Sequence, residues 1–137
     1  MWNRLYRVSD WLRRGLSAED HGRLGEDLAH RFLRDKGCVI VARNYRAHSG
    51  HGEIDIVAWH EEVLAFVEVK TRSNEEYGAP ETAVDEEKRL AVERTAREYS
   101  RRSGIEWERT RFDIVSIVLR RPVQIEWQRD AFRLTRG

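Results

Sequence analysis

The segment VLAFVEVKTR, residues 63–72, decides the predicted fold because it begins as a buried strand and ends in charged residues. Side chains alternate along a strand, so Glu68 and Lys70 share the face that begins with Leu64 and Phe66. An acid and a base therefore extend a face that starts apolar. We interpret this strand end as the start of a functional site, although a Glu-x-Lys pair on a strand is more commonly a weak surface ion pair.

The segments on either side of residues 63–72 predict further strands and two helices. Strands are expected at residues 38–46, 52–60 and 111–119, and helices at residues 21–36 and roughly 81–103. The first three strands follow one another directly and predict an antiparallel meander, and residues 123–135 could form an edge hairpin. The order αβββαβ predicts an α/β domain of the mixed α+β type, with a mixed central sheet flanked by helices.

The chain of 137 residues has the length of one domain. We assign residues 21–137 to that domain and residues 1–20 to a basic, amphipathic, helical N-terminal extension. Charges interrupt the apolar residues of this extension, so we expect neither a signal peptide nor a membrane-spanning helix. A single cysteine, Cys38, excludes an internal disulfide and a cysteine-based zinc site. A reduced, cytoplasmic location is the default expectation.

The overall charge says little about partners. The chain has 25 lysines and arginines against 24 aspartates and glutamates, a formal net charge of +1. Its isoelectric point of about 8.0 is below the strongly basic values that indicate a nucleic-acid-binding protein. A nucleic-acid partner must therefore be argued from a site.

A second charged strand end lies beside the first in the predicted sheet. Strict alternation puts Glu53 and Asp55 on the face of Val57 and Trp59, and pairing through the intervening turn brings Asp55 to the level of Glu68. Two carboxylates near an apolar floor are costly unless a cation neutralises them. Mg²⁺ suits such a place, because it binds one or two carboxylates together with waters and phosphate oxygens. It would polarise a phosphodiester and acidify a bound water, which is the chemistry of a nuclease.

Six short motifs run through the chain in a recognisable order. They are GRLGEDLA, NYR, GEIDIVA, FVEVKTR, YGAP and RFDIV. In order and approximate spacing they resemble the YraN-like family over roughly residues 21–120. That bacterial family of predicted endonucleases is similar to archaeal Holliday-junction resolvases and belongs to the PD-(D/E)xK, or restriction-endonuclease-like, superfamily. The resemblance implies that fold and Mg²⁺- or Mn²⁺-dependent hydrolysis of DNA, branched or single-stranded, without a small-molecule cofactor.

The resemblance also implies a role for each matching residue. Asp55 takes the place of the motif's aspartate, Glu68 of its second acid and Lys70 of its lysine. Asp55 and Glu68 would hold the metal, with the carbonyl of Val69 as a third ligand. Lys70 would position or activate the attacking water. Glu26 takes the place of the acid on the first helix, which assists metal or water binding in such nucleases.

Four further residues are candidates for supporting roles. Arg72, and Lys88 on the inward stripe of the second helix, could contact nucleic-acid phosphates. The simpler interpretations are a surface arginine and a lysine that lies along its own apolar helix face. Glu53 and Asp113 begin the charged ends of their strands, and Asp113 either supports the site or pairs with an arginine.

Two other functions stay open at this stage. A nucleic-acid-binding module would keep the nuclease fold with little or no catalysis. A protein-interaction domain would use the basic N-terminal helix to pair with itself or with a partner. A homodimer would suit a nuclease that cuts two strands symmetrically, but no residue pattern marks a dimer seam.

Overall fold

The computed structural model describes residues 18–48, 50, 52–73 and 86–132. Within those ranges it confirms the predicted αβββαβ order and adds one strand. The helices are α1 (Ala18–Asp35) and α2 (Glu86–Ser103), and the strands are β1 (Val39–Arg46), β2 (Glu53–His60), β3 (Val63–Arg72), β4 (Thr110–Val118) and β5 (Gln124–Gln128). No helix within the described ranges carries an apolar stretch of the length that a lipid bilayer requires. The helix predicted near the N-terminus lies outside the described residues.

All five strands belong to one mixed sheet in the order β1–β2–β3–β4–β5. β1, β2 and β3 form the predicted antiparallel meander. The segment containing α2 connects β3 to β4, which run parallel, and β5 pairs antiparallel with β4 at the far edge. The fold class predicted from the sequence is thus confirmed.

The last segment, predicted as a possible edge hairpin, lies partly outside the described residues. In its described part, residues 123–132, it forms the single strand β5. The chain after β5 stays attached to β4, because the N–H of Ala131 donates to the carbonyl of Phe112 at 2.7 Å. β4 supplies the partner groups that the second arm of a separate hairpin would have supplied.

Apolar clusters cover both faces of the sheet. α1 contributes Phe32 and Leu33 to one cluster, and α2 contributes Val92 and Ala96 to the other. A sheet covered on both sides must be apolar on both faces. This explains why the run Leu64–Val67 in β3 is buried without interruption.

Two glycines bring the helices close to the sheet. A Cβ atom on Gly25 of α1 would overlap the Oγ1 of Thr71 in β3. A Cβ atom on Gly52, just before β2, would lie 2.7 Å from Oγ1 of Thr95 and 2.8 Å from the carbonyl oxygen of Ala91, both on α2. The two contacts lie at the charged ends of β3 and β2, so they fix the helices around the predicted site.

Candidate active site

β2 and β3 separate at the end that carries the predicted carboxylates. Their ladder ends with the pair Ile56–Val67, and one further step would pair Asp55 with Glu68. The prediction that Asp55 and Glu68 lie side by side on neighbouring strands is therefore confirmed. Instead of continuing the ladder, Oδ2 of Asp55 accepts a hydrogen bond of 2.8 Å from the backbone N–H of Val69. The Asp55 carboxyl thus lies in the gap between the two strands.

The alternation of side chains in β2 breaks at Ile54. Ile54 and Val57 pack in the same cluster under α2, whereas Ile56 packs in the cluster under α1. A strictly alternating strand would have put Ile54 and Ile56 together, so Ile54 is the residue that departs from the pattern. Asp55 lines a cleft beside α2, the side on which Val57 packs, which agrees with the predicted shared face of Asp55 and Val57. The irregularity coincides with Asn44, opposite Asp55 in β1, whose φ of 51° is in the left-handed region.

A cleft of about 620 Å³ opens beside these acids, between the ends of β2 and β3 and the helix α2. Its lining includes Glu53, Asp55, Glu68, Val69 and Lys88. The Glu68 side chain is only 11% exposed, and its Oε1 contacts the ammonium of Lys88, whose side chain is 56% exposed. Lys88 therefore directs its charge into the cleft. The sequence had left this open, with a lysine that lies along its own apolar helix face as the simpler alternative.

The charged form of Asp55 is strongly disfavoured. Burial raises the pKa of Asp55 to about 7, and the hydrogen bond from the Val69 N–H only partly opposes this. The nearby charges of Glu26, Glu68 and Glu53 raise the same pKa further. These carboxylates come from α1, β3 and β2, so the fold gathers acids that are distant in sequence. A cation in the cleft would relieve their mutual repulsion.

Glu26 reaches this group from α1 with its side chain 22% exposed. Its Oε1 lies 3.6 Å from Nη2 of Arg43, and the same nitrogen lies 2.9 Å from Oδ1 of Asp27. Sequence reasoning missed Arg43, which belongs to β1. The distance between Arg43 and Glu26 depends on how α1 crosses the sheet, which the sequence does not give. The sequence showed only that a basic residue lies on the strand before the one that carries Asp55.

Glu53, Lys70 and Arg72 lie around the cleft in different ways. Glu53 lines it, and its Oε2 is 3.5 Å from Nη2 of Arg46. Lys70 and Arg72 are half-buried residues of β3 beyond the lining, in the part of the strand that still pairs with β4. Strand alternation keeps Lys70 on the face of Glu68, as predicted.

Asp113 is placed away from the cleft lining. Its side chain is fully buried and accepts hydrogen bonds of 2.7 and 2.8 Å from Nε and Nη2 of Arg111. Nε1 of Trp127 donates to it at 2.9 Å, and the backbone N–H of Asp130 donates at 3.0 Å. Of the two predicted alternatives, the structure shows the arginine pair.

The donor groups at the cleft suit a hard cation. Among the described residues, no three histidine, cysteine, aspartate or glutamate side chains cluster closely enough to hold a metal by themselves. The candidate set is two carboxylates, from Asp55 and Glu68, and the carbonyl of Val69. Mg²⁺ commonly uses one or two carboxylates and completes its shell with water and substrate oxygens. The residues present therefore fit Mg²⁺ or Mn²⁺, which both take oxygen donors.

Comparisons with known proteins cover this part of the chain. A family described as "Uncharacterised protein family UPF0102" matches residues 25–117, a range that includes the cleft. A UPF0102 protein of Solibacter usitatus is 57% identical over 128 residues, covering 93% of this chain and 97% of the relative. UPF0102 proteins of Koribacter versatilis (48% over 101 residues, 74% of this chain and 70% of the relative) and Rhodococcus jostii (46% over 113 residues, 81% and 94%) are also similar. The resemblance to YraN-like proteins is thus confirmed at the level of the family, and the chain belongs to the UPF0102 family.

Proposed function

We propose that this protein is a metal-dependent endonuclease that hydrolyses phosphodiester bonds in DNA with Mg²⁺ or Mn²⁺. The supporting observation is the Asp55 carboxyl, which the Val69 N–H holds in the gap between β2 and β3, in a cleft shared with Glu68. Burial and the repulsion of neighbouring acids disfavour the charged form of Asp55, and a bound divalent cation would favour it. The similarity of the motifs to the PD-(D/E)xK superfamily supports the same assignment.

The proposal gives a role to predicted site residues in the cleft and beside it. Asp55 and Glu68 would hold the metal through carboxylate oxygens, with the Val69 carbonyl as a third ligand. When bound, the metal would polarise the phosphodiester and lower the pKa of a water ligand. Lys70 would position or activate the attacking water from the face it shares with Glu68. Glu26 would support the metal or the water from α1.

Arg72 and Lys88 would contact the phosphates of the DNA. Lys88 already lines the cleft, and its ammonium would leave Glu68 when a cation takes its place there. The proposal includes a cytoplasmic location, where a DNA substrate is available and the single thiol, Cys38, stays reduced.

Cleavage of a labelled DNA panel tests the proposal. The panel contains single-stranded, duplex and four-way-junction DNA, each with Mg²⁺, Mn²⁺ or a chelator. We expect wild-type cleavage with either metal and none with the chelator. Asp55→Asn and Glu68→Gln should each lower the rate at least about 100-fold, since even groups that only support metal ligands cost up to that much. Glu108→Gln, an exposed acid outside the cleft lining, should cleave like wild type.

Wild-type cleavage rates in Asp55→Asn would refute the assignment of the metal site. Activity that survives Lys70→Ala would remove Lys70 from its role.

The ion pair between Glu68 and Lys88 favours the alternative of a nucleic-acid-binding module without catalysis. In this pair the ammonium of Lys88 already neutralises the carboxylate that would otherwise bind the metal. Salt-dependent DNA binding without cleavage in either metal would support that module. Deletion of residues 1–17, followed by the mass in solution, tests the protein-interaction alternative.

A further inference from the structure

A second cavity, of about 550 Å³, lies between α1 and the edge strand β1. It is lined by Asp27, His30, Arg31, Arg34, Asp35 and Arg43. Among the described residues it shares no lining with the cleft at Asp55, so the two are separate places. They are nevertheless neighbours, because Arg43 pairs with Ile56 in the ladder and its guanidinium approaches Glu26.

The side chains that line the cavity carry a net positive charge in spite of its two acids. Its three arginines exceed its two aspartates by one unit of charge. Burial lowers the pKa of His30, and the positive charges of Arg43 and Arg34 each lower it by more than Asp27 raises it. The arginines thus dominate the electrostatic potential at His30, even though Arg43 is in contact with Asp27. An anion would be favoured at this position.

Two nitrogen atoms in the side chains that line this cavity lack hydrogen-bond partners in the described structure. They are Nδ1 of His30 and Nε of Arg43, and both are buried. Nε of Arg43 is a donor, and Nδ1 of His30 donates in the tautomer that carries its proton there. Leaving a buried donor unpaired is costly, so such atoms call for a partner. A phosphate group carries several strong acceptor oxygens, and arginine guanidinium groups bind these oxygens with good geometry. The charge and the unpaired nitrogens therefore point to the same class of ligand.

We infer that this cavity binds a backbone phosphate of the nucleic acid, beside the hydrolytic cleft and separate from it. The inference rests on the proposed function only in taking nucleic acid as the substrate. A strand whose reacting phosphate lies at Asp55 would pass Glu26 and Arg43 and continue along α1. His30, Arg34 and Arg43 would then hold a phosphate that flanks the reacting one, which positions the strand without reading its bases.

Binding of a labelled single-stranded DNA in the presence of chelator tests this site without cleavage. The variant is Arg34→Glu and the matched control is Arg23→Glu, since both arginines are exposed on α1 and only Arg34 lines the cavity. We expect Arg34→Glu to weaken binding roughly tenfold, as for a lost charge-assisted contact. It should also reduce the slope of log affinity against log salt by about 1. Equal effects of the two variants would overturn the inference.

Nuclear magnetic resonance of the histidine rings gives a second, direct readout on the wild-type chain. Added DNA should shift the His30 ring resonances and leave those of His60, which contacts Arg111, unchanged. An equal shift with inorganic phosphate at the same concentration would make this a free-phosphate site and overturn the nucleic-acid assignment. No shift of His30 with either ligand would overturn the anion site itself.

The two proposals fail in different ways. Absence of cleavage with a His30 shift and an Arg34→Glu effect refutes the nuclease and leaves the phosphate site standing. Cleavage by wild type with neither of those effects refutes the phosphate site and leaves the nuclease standing. Absence of both cleavage and DNA binding refutes both.

Discussion

At the scale of single residues, Asp55 differs from the other acids of the cleft in its surroundings. It is held between two strands by a backbone N–H, whereas Glu68 faces the ammonium of Lys88 and Glu26 faces Arg43. Burial is the main cause of the raised pKa of Asp55, and the charges of Glu26, Glu68 and Glu53 add to it. Ionisation of Asp55 in the metal-free protein is therefore costly.

The raised pKa of Asp55 predicts how stability depends on pH. Between the ordinary pKa of 3.8 and the folded value of about 7, the folded state binds more protons than the unfolded state. The free energy of unfolding should therefore fall as pH rises through this window, by about 1–3 kcal/mol for a partly solvated group, and then level off. Urea denaturation in chelator between pH 4.5 and 8 measures this.

Asp55→Asn supplies the control for that measurement. It cannot ionise, so its free energy of unfolding should lack this part of the fall with pH. An identical pH profile for wild type and Asp55→Asn would contradict the assigned titration.

The ion pair of Lys88 predicts competition with the metal. Lys88→Met keeps the length of the side chain and removes the charge that contacts Glu68. We expect the variant to bind Mn²⁺ about 2- to 5-fold more tightly, the range that corresponds to a partly exposed ion pair. Isothermal calorimetry measures the affinity, and Lys36→Met, at an exposed lysine after α1, is the control. Weaker binding by Lys88→Met would instead make Lys88 a support of the metal site.

At the scale of elements, the site depends on how closely the helices pack against the strand ends. α1 contacts β3 through Gly25, and the segment before β2 contacts α2 through Gly52. Neither contact involves a charged side chain of the cleft. They act on the site by fixing the backbones that carry its acids.

Gly25→Ala tests this packing. Its Cβ would overlap Thr71, so α1 must move away from β3, and overpacking of this kind costs about 1–3 kcal/mol. Gly22→Ala is the matched control, because a Cβ there meets nothing within 4 Å. Alanine is the better helix former, so Gly22→Ala should be neutral or stabilising by up to about 1 kcal/mol. Equal stabilities of the two variants in urea would refute the close contact.

At the scale of the whole molecule, the sheet carries two polar centres with different roles. The cleft lies where β2 and β3 separate and is open to solvent. The Asp113 cluster is buried, and it joins β4 to β5 through Trp127 and to the end of β2 through the contact of Arg111 with His60. We assign to the first the proposed chemistry and to the second the assembly of the sheet edge.

Asp113→Ala separates these roles. Removal of one partner of a buried ion pair leaves Arg111 uncompensated, and we expect a loss of about 3–5 kcal/mol in the free energy of unfolding. The Mn²⁺ affinity of the folded fraction should stay at the wild-type value. Weakened metal binding with unchanged stability would show instead that Asp113 supports the site.

Much of the fold and part of the site follow from the order of residues alone. Strand and helix periodicity predicted the αβββαβ order, because alternation and helical spacing are local properties of the chain. The short turn after Trp59 set the register that brings Asp55 to the level of Glu68. The break in alternation at Ile54 was not predicted, since it depends on packing against both helices.

Sequence by itself therefore determined the strands, the family and the pair of acids at neighbouring strand ends. Only the tertiary structure decided what surrounds that pair. The N–H that holds Asp55, the ammonium beside Glu68 and the guanidinium beside Glu26 all reach their partners across elements. The physical reason is that pairing within a hairpin is set by a short turn, whereas contacts between a helix and a sheet are set by how the whole core packs.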